Sequence, residues 1–328
     1  MSLAINVATA EGLVLSADSR QSYRNQKGQA RIGSDSASKV FKLSDRIGTT
    51  VTGPAFLPEG KVLKNISKFI DDFRRENELE NLSVKAVAEK LGMFFDEKYA
   101  YKELVKSPPT TLKTDLEKQG FKVSEISPKE KFVEFKFIDS LGRAQTGRWV
   151  PEQISFMVAG YNQDSSHMVY IVYVPGEIEE KRNSEVVGKE YGASWTGQTD
   201  VVSRIVLGKD PRIMDQLIIN GLVNPNDDKD GRITKFMGSL EYIISWGTMT
   251  LQDAIDFATL MIETTSAIQR FSDGVVVDPG NIPGVGGPVD VAVITPDKGF
   301  VWVTKKTLKS NENSVDLEQI PNLNKIAN

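Results

Sequence analysis

An α+β fold of two stacked sheets, with a helical layer on each outer face, is what this 328-residue sequence predicts. Strand-like and helix-like text falls in segregated blocks: strands, two helices, strands, two or three helices, strands. The hydrophobic share is 40% with 26% charged residues, enough for a sizeable core. Two helical stripes and one nearly continuous apolar strand mark where that core lies.

The first fifty residues read as β. Leu3, Ile5 and Val7 alternate with Ala4, Asn6 and Ala8, Glu11-Gly12 marks a turn, and Leu13-Val14-Leu15 leads to Asp18. Residues 21–38 are polar and rich in Gly and Ser, which predicts an exposed loop. Strand signals resume at 39–43 and 47–52, closed by Gly53-Pro54. Val62, Leu63, Ile66, Phe69, Ile70 and Phe73 form one helical stripe. Val84, Val87, Ala88, Leu91 and Phe95 form another, with Ser83 as N-cap.

Period two returns at 154–158, and the run 168–174 predicts a strand buried on both faces. Mixed helical stripes cover 199–207 and 213–222. Thr250 and Asp253 resemble a capping box that opens a helix through Ala254, Ile255, Ala258, Met261, Ile262 and Thr265. The last strands fall at 289–295 and 300–304. Residues 105–150 stand apart, with Ser107-Pro108-Pro109, charged helix-like text, and a hairpin pairing 132–137 with 145–150. They read as an insertion in a single domain spanning 1–309, followed by a polar tail at 310–328.

Absences narrow the chemistry. The net charge of −4 is too small a bias for a dedicated nucleic-acid binder. No apolar run is long enough for a bilayer, and the N-terminus lacks the basic start of a signal peptide, so a cytoplasmic, membrane-free protein is expected. Without cysteine there is no thiol catalysis, disulfide or thiolate metal site. With His167 as the one histidine, a multi-histidine zinc site is excluded and any Ser-His-Asp triad would have to use it. His167, in Asp164-Ser165-Ser166-His167, reads as a surface residue. The stretch 224–231 resembles the start of a calcium loop, but the twelfth position from Asn226 is Met237, not an acid, so an acidic surface turn is the better reading. Residues 177–182 read as a solvated loop.

A hydrolase with this composition needs another base. A free α-amine has an unperturbed pKa near about 8 and can take a proton from a hydroxyl on its own residue. Ser2 qualifies if Met1 is removed.

The runs Leu13-Val14-Leu15-Ser16-Ala17-Asp18-Ser19-Arg20, Ser38-Lys39-Val40-Phe41-Lys42-Leu43 and Arg46-Ile47-Gly48-Thr49-Thr50-Val51-Thr52-Gly53 resemble the N-terminal third of proteasome β-type and HslV-like peptidases. Gly286-Gly287-Pro288-Val289-Asp290-Val291-Ala292-Val293-Ile294-Thr295 resembles their final strand region. The resemblance covers 2–100 and about 153–305, and is absent over 105–150. It implies an N-terminal nucleophile (Ntn) hydrolase sandwich, α-β-β-α. It also implies an endopeptidase without metal or organic cofactor, homo-oligomeric rings, and service by an ATP-dependent unfoldase.

Carried over by position, Ser2 becomes the attacking hydroxyl. Asp18 holds the nucleophile's surroundings and its lysine, Arg20 structures the same turn, and Lys39 lowers the proton affinity of the nucleophile and amine. Gly53 supplies an oxyanion N–H, and Thr196, in Trp195-Thr196-Gly197-Gln198-Thr199, stands where the family has an accessory serine. Val51 is the residue named as lining the specificity cleft.

Taken singly, these residues have plainer meanings: a turn with a surface ion pair at Asp18-Ser19-Arg20, a strand-edge lysine, a Gly53-Pro54 turn, a cap at Thr196, a frayed Ser2. The sequence also departs from the family. Serine replaces threonine, Val285 replaces a serine, and an insertion at 271–283 displaces an acid, leaving Asp273, Asp278 or neither. A proteasome-like peptidase is the leading expectation. Its rivals are a catalytically decayed structural subunit of such an assembly, and an Ntn amidase with the 105–150 insertion as a lid over a small amide.

Overall fold

The computed structural model describes residues 2–24, 30–108, 111–118, 120–138, 142–223, 231–275, 278–279, 283–309 and 314–315. Met1, the acidic turn at 224–230, the hairpin tip at 139–141 and most of the C-terminal tail lie outside them. The chain is mixed α/β, with several antiparallel sheets.

It opens with β1 (Leu3–Ala8) and β2 (Leu13–Ala17), then a hairpin of β3 (Gln21–Arg24) and β4 (Ala30–Ser34). Next come β5 (Val40–Lys42), β6 (Ile47–Thr52) and a second hairpin, β7 (Phe56–Glu59) and β8 (Val62–Asn65). Helices α1 (Ile66–Glu76), α2 (Val84–Lys98), α3 (Tyr101–Lys106) and α4 (Thr111–Lys118) follow. A three-stranded sheet is built from β9 (Lys122–Pro128), β10 (Val133–Ile138) and β11 (Ala144–Trp149). Then come β12 (Ile154–Tyr161), β13 (His167–Val174), β14 (Ile178–Asn183) and β15 (Gly192–Gly197). Helices α5 (Asp200–Val206), α6 (Ile213–Ile219), α7 (Arg232–Gly238) and α8 (Leu251–Phe271) precede the short pair β16 (Gly274–Val275) and β17 (Asp278–Pro279). The last elements of the main sheets are β18 (Asp290–Thr295) and β19 (Gly299–Thr304).

One five-stranded sheet runs β15-β1-β2-β18-β19 and the other β14-β13-β12-β6-β5. Period-two alternation sorts their side chains into separate cores. Ala4 and Ala8 of β1, with Leu13 and Leu15 of β2, pack against Met157 and Ala159 of β12 and Ile171 of β13, so the two sheets face each other. The opposite face of β1, Leu3, Ile5 and Val7, packs on Val202 of α5 and on Ala254, Ala258 and Ile262 of α8. The opposite face of β12, Ile154, Phe156 and Val158, packs on the α1 and α2 stripes. The middle strands are therefore buried on both faces: all eight residues of β12, Ser155 among them, are buried.

Three helices, α1, α2 and α8, begin where a side chain provides the cap. Asn65 accepts from the Ser67 amide, Ser83 from Ala86, and Thr250 with Asp253 completes the capping box of α8. Residues 105–150 do not hang free. Leu112 and Val133 join the core under α1 and α2, with Ile126 and Trp149 packed against it.

Four sequence expectations are corrected. Residues 21–38 contain the β3–β4 hairpin, whose polar text carries no buried face. The first helix starts at Ile66, and Val62 (63% exposed) and Leu63 (71%) belong to the β7–β8 hairpin instead of the apolar stripe. Residues 178–183 form the edge strand β14, where charged side chains suit a strand with one open side. His167 is buried, and its Nε2 donates to the Glu190 carbonyl at 2.7 Å.

The tilted rings of Phe95 and Phe156, both buried with centroids 4.4 Å apart, make a sharp test of which apolar residues count. Phe95→Ala should cost about 3–5 kcal/mol in chemical denaturation, from lost burial plus the cavity left behind. Leu63→Ser should stay within about 0.5 kcal/mol of the parent.

Candidate active site

The site forms where the ends of β1, β2, β5, β6 and β15 meet, and one carboxylate organises it. The antiparallel register pairs Ala4 with Ala17, which sets Asp18 beside Leu3. Asp18, with no exposed surface, accepts four hydrogen bonds: Leu3 N (3.0 Å) and Lys39 Nζ (2.7 Å) on Oδ1, Arg20 N (3.0 Å) and Gly286 N (3.0 Å) on Oδ2. That matches the roughly four lone-pair sites of a carboxylate.

Lys39 immediately precedes β5, so its ion pair with Asp18 crosses from one sheet to the other. Its ammonium also donates to the Arg20 carbonyl at 2.5 Å. Burial lowers the Lys39 pKa below its ordinary 10.5, against the opposing pull of Asp18. Arg20 does not reach into the pair. It makes a two-pronged bond to Asp35 through Nε (2.7 Å) and Nη2 (3.0 Å), which raises the arginine and lowers the aspartate.

Ser2 is 4% exposed and lies between two concavities that share Ser2, Thr52 and Gly53. One is bordered by Lys39, Val51 and Ile66. The other, of about 590 Å³, is bordered by Gln153, Tyr173, Trp195 and Thr196. Two glycines permit this close approach. Gly53 has φ +113°, and a Cβ there would sit 2.3 Å from the Gln153 carbonyl oxygen. Gly197 has φ +94°, and a Cβ would sit 2.0 Å from the Ser2 carbonyl oxygen, which accepts from Gln198 N at 2.6 Å. Thr196 closes β15 with its hydroxyl accepting from Thr52 Oγ1 at 3.3 Å, a second link between the sheets.

All six residues proposed from the sequence are thus gathered: Ser2, Asp18, Arg20, Lys39, Gly53 and Thr196. Asp273, by contrast, is exposed, and the side chain of Asp278 lies outside the described residues. Val285 is buried against Val291 and α8.

Other members carry no sequence signal of their own. Gln269 Oε1 accepts from Gly284 N and Val285 N, both at 3.0 Å, and its Nε2 donates to Gln198 Oε1 at 3.1 Å. Asp290, which is buried, and Lys306, which is half-buried, form a further ion pair, with Lys306 N also donating to Asp290 Oδ1 at 3.0 Å. Asp290 stands opposite Ala17 in the register. Burial and then the like charge of Lys39 pull the Lys306 ammonium down to about 8. Among the described residues no group of acids and histidines is arranged to hold a metal, and no helix is long and apolar enough to cross a membrane.

The folded chain releases the Lys39 proton at lower pH than the unfolded chain does. The Lys39 contribution to stability therefore rises with pH between its depressed pKa and 10.5. An NMR titration of lysine side chains should find Lys39 deprotonating before the exposed lysines; titration alongside them would contradict the burial argument. Lys39→Met, which strands the Asp18 charge, should cost about 3–5 kcal/mol in denaturant unfolding.

Neither a scan of protein-family models nor a search among curated proteins returns a match for this chain.

Proposed function

We propose that this chain is an Ntn hydrolase of the proteasome-like type, cleaving peptide bonds with the Ser2 hydroxyl. The observation that carries the reading is the junction around Asp18. One buried carboxylate binds both the amide following Ser2 and the Lys39 ammonium, at the rim of a cleft that Ser2 lines. The packing supports the fold half of the reading. Helices, sheet, sheet and helices in series, with three apolar cores between them, suit an α-β-β-α Ntn sandwich.

With Met1 removed, residue 2 carries an α-amine and a hydroxyl. Ser2 Oγ attacks the substrate carbonyl while the amine takes its proton. The Lys39 ammonium, close by and poorly hydrated, favours the deprotonated partner of that transfer. The Gly53 N–H stabilises the oxyanion at a position where a side chain would collide with Gln153. Collapse of the tetrahedral intermediate passes the proton from the amine to the departing nitrogen and leaves an ester on Ser2. Water, deprotonated by the same amine, hydrolyses that ester and regenerates the hydroxyl. Thr196 and Thr52 keep the two sheets in register beneath the nucleophile.

One observation favours the rival scaffold reading: the Val285 side chain contributes only packing where the resemblance leads one to expect a serine hydroxyl. Intact mass and labelling separate the two. Protein from its native host should lack the mass of Met1 and gain one equivalent of a peptide epoxyketone, a reagent that needs both hydroxyl and free amine. Ser2→Ala should abolish labelling, and Lys39→Met should slow it about 10²–10⁴-fold. An unprocessed chain that takes up no reagent would establish the scaffold. Hydrolysis of small amides without turnover of peptides would establish an amidase.

A further inference from the structure

We infer that Gln269, near the end of α8, is a positioning residue that holds the Asp18–Lys39 pair and the Ser2 carbonyl in one arrangement. Its side chain binds in two directions. Because a backbone N–H can only donate, the two amides of Gly284 and Val285 fix Oε1 as the atom that faces them. Nε2 is then left to donate to Gln198 Oε1.

Each direction leads into the site within one residue. On one side, the amide next along the chain, Gly286 N, is a donor to Asp18 Oδ2, and the Gly286 carbonyl accepts from Ser19 N at 2.9 Å. Gln269 thereby sets the turn that delivers one of the four donors of Asp18. On the other side, Gln198 donates from its backbone to the Ser2 carbonyl. A single amide side chain joins α8, the 284–286 turn and the end of β15. The helix brings no charge to the site by this route.

The sign of the effect follows from the hydrogen bonds. Withdrawing the Gly286 N–H leaves more of the Asp18 charge uncompensated: the Lys39 pKa rises, and the same negative charge offsets more of the field by which the ammonium favours a neutral amine. The other charged groups facing Lys39 are Asp18, Arg20 and Asp35, and Lys306 with its partner Asp290. Gln269 bonds to none of these among the described contacts, so their fields stay in place when it is replaced.

The catalytic consequence rests on the hydrolase reading, while the electrostatic one does not, and the test uses that difference. Gln269→Leu and Gln269→Met are made in the full chain with Met1 removed, and folding is checked by thermal melting. NMR titration of the Lys39 side chain should show its pKa raised by about 0.5 or more. Epoxyketone labelling at neutral pH should slow about tenfold through the covalent step, with the affinity of the prior complex unchanged.

Folded variants whose Lys39 titrates at the parental pH overturn the inference, whatever the labelling. A shifted Lys39 in a protein that is never labelled upholds the positioning role and removes the hydrolase. If neither variant folds, amide exchange in the parent decides. Gly284, Val285 and Gly286 should exchange as slowly as the amides of β18, and exchange at open-loop rates overturns the inference.

Discussion

A carboxylate with no exposed surface has to be compensated on every side, and Asp18 is compensated by groups from four separate stretches of chain. Leu3 comes from β1, Arg20 from the turn after β2, Lys39 from the entry to β5, and Gly286 from the loop before β18. None of these can move without leaving a buried charge short of a partner, a loss worth several kcal/mol in a site this dry. The requirement ties the two sheets together at one end. It also places a buried ion pair beside strands whose buried residues are mostly apolar. The glycines at 53 and 197 follow from the same crowding, since the backbone must pass within contact distance of other carbonyls there.

The apolar layers were legible because they obey simple periods. β1, β2, β12 and α2 carry alternation, unbroken apolar runs or an i, i+3, i+4 stripe, and Thr250 with Asp253 announces α8 by the chemistry of helix starts. The misreadings share a cause. The β3–β4 hairpin and β14 take few buried contacts, so their residues answer to solvent and carry no face to detect. Val62 and Leu63 extend the spacing of α1 by coincidence, but Asn65, whose side chain caps Ser67 N, ends the strand and starts the helix. His167 looked exposed because its neighbours are polar, yet the β13–β14 pairing and the Glu190 carbonyl enclose it.

The site shows the same division. Asp18, Lys39 and Gly53 were recoverable because they sit in runs with recognisable strand context. Gln198 and Gln269 were not. They lie 71 positions apart, and glutamine in a helix is an ordinary solvent-facing residue until the fold closes it against two backbone amides. Asp290 and Lys306 escaped notice for a related reason. An acid at the start of a strand and a lysine after the next one have no spacing that marks them as partners, and only the pairing of β18 with β2 carries Asp290 inward.

That second ion pair alters how the site meets its surroundings. Asp18 and Lys39, with Asp290 and Lys306, make two negative and two positive groups that are mostly buried, the Lys306 side chain being 12% exposed, and their formal charges cancel. Dissolved ions screen exposed charges and act much less on pairs that are buried or nearly so. The local field at the end of β2 is therefore a property of the fold itself, and ionic strength, which rearranges the many pairs on the surface, leaves it nearly as it was.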